Sequence, residues 1–125
     1  MRAQQLAVCL FLGLSAATAS AADGNQLLDA CQQAVKYFDG DKTDVDSFKA
    51  LYCLGLVEGT RNTMVLLDQQ DPAACVPASV ANTQAVRIVV KYLRANPERL
   101  HLDASASILL SLMAAYPCPP RNAVK

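Results

Sequence analysis

Several side chains of this 125-residue chain are of types and spacings that could do chemistry. His101 is the single histidine, followed closely by Asp103 and Ser105, and these are the residue types of nucleophilic hydrolysis. That chemistry needs an imidazole held between an orienting carboxylate and the nucleophile. Closeness in sequence does not supply the arrangement, and a solvent-facing turn histidine is the expectation. Asp39, Asp41, Asp44 and Asp46 have the composition of a cation loop but neither the spacing nor the closing glutamate of an EF-hand. They are expected to form a solvated, helix-capping turn. Glu58, the sole acid between Ser47 and Leu67, is either a buried acid paired with Arg61 or the exposed edge of a helix. Without a glycine-rich phosphate loop or a metal-ligand cluster, no catalytic residue, cofactor or metal is expected.

The cysteines carry more information. Met1-Arg2, an apolar run over 6–14 and a small-residue stretch over 15–22 have the order of a secretory signal peptide. Cleavage is expected after Ala21, which makes 1–21 the signal and 22–125 a single helical domain. The apolar run is too short for a stable membrane anchor, and Val8 is too bulky for a lipidation site at Cys9. Processing would remove Arg2 and Cys9, leaving ten basic against eleven acidic side chains. That balance excludes a nucleic-acid binder, which would carry a basic surplus. The four remaining cysteines, Cys31, Cys53, Cys75 and Cys118, form an even set, which after export means disulfides in the periplasm or outside the cell.

Four helices are expected to position these residues, giving an all-α, disulfide-stapled four-helix bundle. Asp23-Gly24-Asn25 starts the first, in which Leu27, Leu28, Cys31, Ala34, Val35 and Phe38 repeat at amphipathic spacing. The second, over 46–67, is apolar on nearly every side and so reads as the central helix. Its Gly55 and Gly59 suit a face on which another helix comes close, within the molecule or across a dimer seam. Asn82-Thr83 restarts a helix that places Val86, Val89, Val90 and Leu93 on one side, and Asn96-Pro97 ends it. Asp103 is expected to cap the last helix, with Ile108, Leu109, Leu112 and Met113 inward and Tyr116 extending the stripe. Ser105, Ser107 and Ser111 read as small packing residues.

Helix order selects the cysteine pairs. Cys31 and Cys53 lie equally far from a turn centred near residue 42, hence level across an antiparallel hairpin. In an up-down-up-down bundle the second and fourth helices end at one pole, which brings Cys75 to Cys118. On the third helix Arg87, Lys91 and Arg94 form a basic ridge. It is either a solvated face or a docking surface whose charges select a partner and speed the encounter.

Taken together, Asn25-Gln26-Leu27-Leu28-x-x-Cys31, Cys53-x-Gly55-x-Val57-x-Gly59 and Cys75-x-Pro77 resemble the type VI secretion immunity proteins of the Rap/Tai kind. So do Thr83-x-x-Ala-Val86, Val90-Lys91-Tyr92-Leu93, Asn96-Pro97-Glu98-x-Leu100-His101 and Tyr116-Pro117-Cys118. The departures are Leu56, where the family usually has an aromatic residue, and Asn62, where it often has an acid. The resemblance implies a small helical periplasmic protein, often a homodimer, that has no activity of its own. Such a protein occludes the active site of a peptidoglycan-hydrolase effector, typically an amidase. The surfaces expected to meet that partner are the loop 72–80, with Pro72, Val76 and Pro77, and the ridge of Arg87, Lys91 and Arg94. A periplasmic holdase or acid-stress chaperone is the alternative, although the small net charge provides little acid-triggered repulsion.

Overall fold

The computed structural model describes residues 21–67 and 72–120, so the expected export segment and the acidic stretch 68–71 fall outside the described residues. Helix α1 (Gly24–Phe38) begins where Asp23 Oδ1 accepts the N–H of Gln26 at 3.0 Å, the capping role expected of it. Leu27, Ala30, Cys31 and Ala34 make its buried stripe. Gly40, just past the helix, has φ of 88°, a left-handed value that a β-carbon would disfavour. Helix α2 (Ser47–Leu67) is capped by Asp46, whose Oδ1 accepts from the N–H of Lys49 at 3.1 Å. Helix α3 (Asn82–Ala95) buries Ala85, Val86, Val89, Val90 and Leu93; the β-branched run 86–90 is helical. Asn96 precedes Pro97, a short 3-10 turn follows (Pro97–Arg99), and helix α4 (Ala104–Ala115) completes the described fold.

The described residues contain no strand, and the expected all-α, disulfide-stapled class is what they form. The helix directions differ from the expected up-down-up-down order. Gly24 N–H donates to Leu102 O at 2.9 Å and Ala104 N–H donates to Ala22 O at 2.8 Å, an antiparallel bridge between Asp23 and Asp103. Helices α1 and α4 therefore start side by side. Helix α3 runs the other way, from Arg87 beside Asp39 at the end of α1 to Leu100 beside Asn25 at its start. The core is thus α1, α3 and α4, alternating in direction, and α2 packs principally on α1.

Both cysteine pairs form as expected, the second by another route. Phe38 and Ser47 bracket the expected turn near residue 42. The segment after α1 doubles back, Asp46 N–H reaching Gln33 Oε1 and Lys49 Nζ reaching Asp29 Oδ2. Cys31 and Cys53 meet at a Cα separation of 5.1 Å, both fully buried. Cys75 meets Cys118 because the start of α3 and the end of α4 share a pole, where Gln84 Nε2 donates to the Tyr116 hydroxyl.

Three further expectations are corrected. Helix α2 is not central: it buries only Ala50, Cys53 and Val57. Asp103 precedes α4 without a side-chain capping bond; the Ala22 carbonyl takes the first amide instead. Met113 faces outward, and the buried row of α4 is Ala104, Ser107, Ile108, Ser111 and Leu112. Ser111 fits there because its Oγ donates to the Ser107 carbonyl within the helix at 2.6 Å, whereas the buried Ser107 hydroxyl has no hydrogen-bond partner among the described residues.

Gly24 is the most closely approached of the described glycines. A β-carbon there would lie 2.9 Å from Leu100 O and 3.0 Å from Leu100 Cα, both backbone atoms. Gly24→Ala is expected to lose about 2 kcal/mol in chemical denaturation by forcing the two segments apart. Asp23 gives a pH signature. Its bond from the Gln26 amide holds its carboxyl below the ordinary value, so its stabilising contribution is present above the unfolded pKa. That contribution is lost as pH falls through the lower folded value. Asp23→Ala should flatten this acid limb in denaturation midpoints measured from pH 5 downward.

Candidate partner-binding surface

Three parts of the described surface stand out. The largest lies along α2. Because only one stripe of that helix is needed to cover α1, its other apolar positions point outward. Phe48, Leu51, Val65, Leu66 and Leu67 are between 68% and 81% exposed. They lie toward the two ends of the helix, with the exposed Glu58, Asn62 and Thr63 between them. At its middle, β-carbons added to Gly55 or Gly59 would meet nothing within 4 Å. The two glycines therefore serve no contact within the molecule. They line an open groove of about 570 Å³, with Thr63 and Met64 beyond them and Ser105, Ala106 and Leu109 of α4 opposite. Thr63 Oγ1 donates to Gly59 O at 2.8 Å, so its hydroxyl is spent within the helix.

The second part is the loop before α3. Pro72 and Pro77 are exposed and Val76 is half-buried, and with Ala74 and Ala78 they face Arg61, Asn62, Met64 and Val65 of α2 across a depression of about 320 Å³. Arg61 is what the sequence reading missed. Its guanidinium donates to Val80 O at 2.9 Å and to Asn82 Oδ1 at 2.5 Å, fastening the loop to the start of α3. It does not pair with Glu58, which is exposed. The signal was faint: a cation in the apolar C-terminal half of a helix, followed by a loop whose carbonyls have no regular structure to bond.

The third part is the ridge. Arg87 Nη2 lies 2.6 Å from Asp39 Oδ1, and this hydrogen bond, followed by the charge attraction, raises the Arg87 pKa. Lys49 is raised in the same way by Asp29, at 2.6 Å. Both pairs are solvent-exposed and add little to stability. Lys91 and Arg94 have no acidic partner among the described residues. They border a shallow depression whose floor is Val35, Val90 and Ala95. The structure thus places the loop residues against α2 and the ridge residues against α1, in two depressions that share no lining residue.

None of this arrangement assembles a reaction centre. His101 is exposed and has no hydrogen bond to Asp103 or Ser105. Among the described residues no group of three or more histidine, cysteine or acidic side chains is placed to hold a metal ion. In the acidic turn, Asp39 binds Arg87, Asp41 accepts from Thr43 and Asp46 caps α2. What these parts of the surface offer is apolar area and, on α3, the unpaired cations Lys91 and Arg94. Gly55→Ala and Gly59→Ala should each stabilise the isolated chain by about 0.5–1 kcal/mol, measured by urea denaturation at low protein concentration. A loss of stability would mean that the face is in close contact with a second surface.

The comparisons agree with this character. The family model described as Rap1a immunity proteins matches residues 23–118. Neither the curated proteins nor the solved structures give a match.

Proposed function

The chain belongs to the Rap1a immunity proteins, and from that premise we propose that it is a periplasmic protein that inhibits a type VI secreted peptidoglycan amidase by occluding its active site. Immunity to a toxic effector follows from membership; the amidase target and the compartment are the finer reading. The observation that carries it is the extent of the match, which takes in all four described helices and both disulfides. Two disulfides fit an oxidising compartment, which export of 22–125 after removal of 1–21 would supply. A purely inhibitory role fits a surface made of apolar area and cations rather than of paired acids and bases.

A stable interface needs about 800 Å² from each partner. In the proposed complex the effector meets the loop at Pro72, Val76 and Pro77 together with the cations of α3, of which Lys91 and Arg94 are unpaired. Arg87 is the weaker candidate, since leaving Asp39 would cost it an existing bond. The apolar face of α2 is then free for a second copy of the chain, which gives the homodimer reading a location.

The exposed α2 face also favours a second reading, a periplasmic holdase that captures unfolded clients on that face. The two separate in one set of assays. The oxidised chain from residue 22 onward should capture an amidase at one-to-one or two-to-two stoichiometry and abolish its hydrolysis of peptidoglycan. Lys91→Glu with Arg94→Glu should weaken that inhibition by about tenfold or more while leaving the helical signal intact. Protection of an aggregating client in acid, with no amidase inhibited, would favour the holdase.

A further inference from the structure

The two disulfides sit in opposite surroundings. Cys31 and Cys53 are fully buried between α1 and α2, whereas Cys75 is exposed and Cys118 half-buried. Thiol–disulfide exchange begins when a thiolate reaches one of the two sulfurs, so access decides which bridge reacts first. The accessible bridge is also the one that shapes the surface. It ties the loop before α3 to the segment after α4, and the Cys75 N–H donates to Tyr116 O at 2.9 Å at the same point. The far end of the loop is held independently, by Arg61 on Val80. The helices have supports of their own, the buried bridge between α1 and α2 and the packed side chains of α1, α3 and α4.

We propose that the Cys75–Cys118 bridge is a thiol-accessible latch on the loop. A dithiol opens it while Cys31–Cys53 stays closed, and so dismantles the depression between Pro72, Val76 and Pro77 and the C-terminal half of α2. In the step itself a thiolate of the dithiol attacks the Cys75 sulfur. The bond to Cys118 breaks, and Cys118 leaves as a thiolate and takes up a proton. The second thiol of the donor then displaces Cys75 from the mixed disulfide. Two electrons pass to the protein, which ends with two thiols, and the donor ends as a disulfide. The opened loop keeps its tether at Arg61 but loses the one at Cys75. Its effect on effector binding rests on the immunity reading; the order of opening does not.

Graded dithiothreitol followed by iodoacetamide quenching and peptide mapping tests the latch. Cys75 and Cys118 should be alkylated at least about tenfold faster than Cys31 and Cys53, with the far-ultraviolet circular dichroism unchanged at that stage. Equal rates, earlier alkylation of the buried pair, or loss of helix with the first alkylation would overturn it. The Cys75→Ser, Cys118→Ser chain should keep its helical signal and inhibit about tenfold less well any amidase that the oxidised wild type inhibits. Unchanged inhibition would break the link to the partner surface, and an unfolded variant would contradict the independence of the core. If the oxidised wild type inhibits no amidase, the immunity reading fails, and the alkylation order still decides the latch.

Discussion

The backbone contact at the start of α1 constrains everything that follows. Ala22 and Gly24 on one side and Leu102 and Ala104 on the other exchange two hydrogen bonds, and Gly24 lets Leu100 come close enough for this. The bridge satisfies the first amide of both helices without a side chain at Asp103 and sets the starts of α1 and α4 side by side. Helix α3, with Arg87 beside Asp39 at the end of α1 and Gln84 beside Tyr116 at the end of α4, runs opposite to both. Leu27, Val86, Val89, Leu93, Ile108 and Leu112, all fully buried, close the core. That arrangement leaves no central position for α2.

The displacement of α2 explains the surface. A helix that is apolar on most sides but packs principally on one neighbour has to expose much of the remainder. Here the remainder is Phe48, Leu51, Val65, Leu66 and Leu67 with two open glycines. Fixing a helix this way is not cheap in conformational terms, and the buried Cys31–Cys53 bridge stabilises it by on the order of 3 kcal/mol through the unfolded chain. A protein whose task is recognition gains a broad, rigid, water-excluding surface from the same design. The cations that give such a surface direction lie elsewhere, on α3, where Arg87 is held by Asp39 while Lys91 and Arg94 face solvent unpaired.

The immunity reading and the accessible bridge concern the same loop. Its residues are few and small, and its shape comes from two tethers rather than from regular structure: Arg61 at one end, Cys75 at the other. Such a loop presents its prolines in a fixed geometry as long as both tethers hold. The contrast with the fully buried bridge is one of surroundings alone, since both join cysteines with Cα atoms about 5 Å apart.

Local patterns in the sequence determined the four helices, the cap at Asp23 and the stop at Asn96-Pro97, each of which depends on residues within a few turns of one another. An even count of cysteines indicates only that all four are paired; the partners followed from the order of the helices. Helix direction was not legible, because it depends on Gly24 meeting Leu100, residues far apart whose fit appears only when both backbones are placed. Nor was the outward face of α2: hydrophobic periodicity reports how much of a helix is apolar, not how many neighbours will cover it. The role of Arg61 was equally hidden, since the carbonyl of Val80 and the amide oxygen of Asn82 come within its reach only in the folded chain. Composition determined what the surface is made of, and tertiary packing decided which part of it remains open.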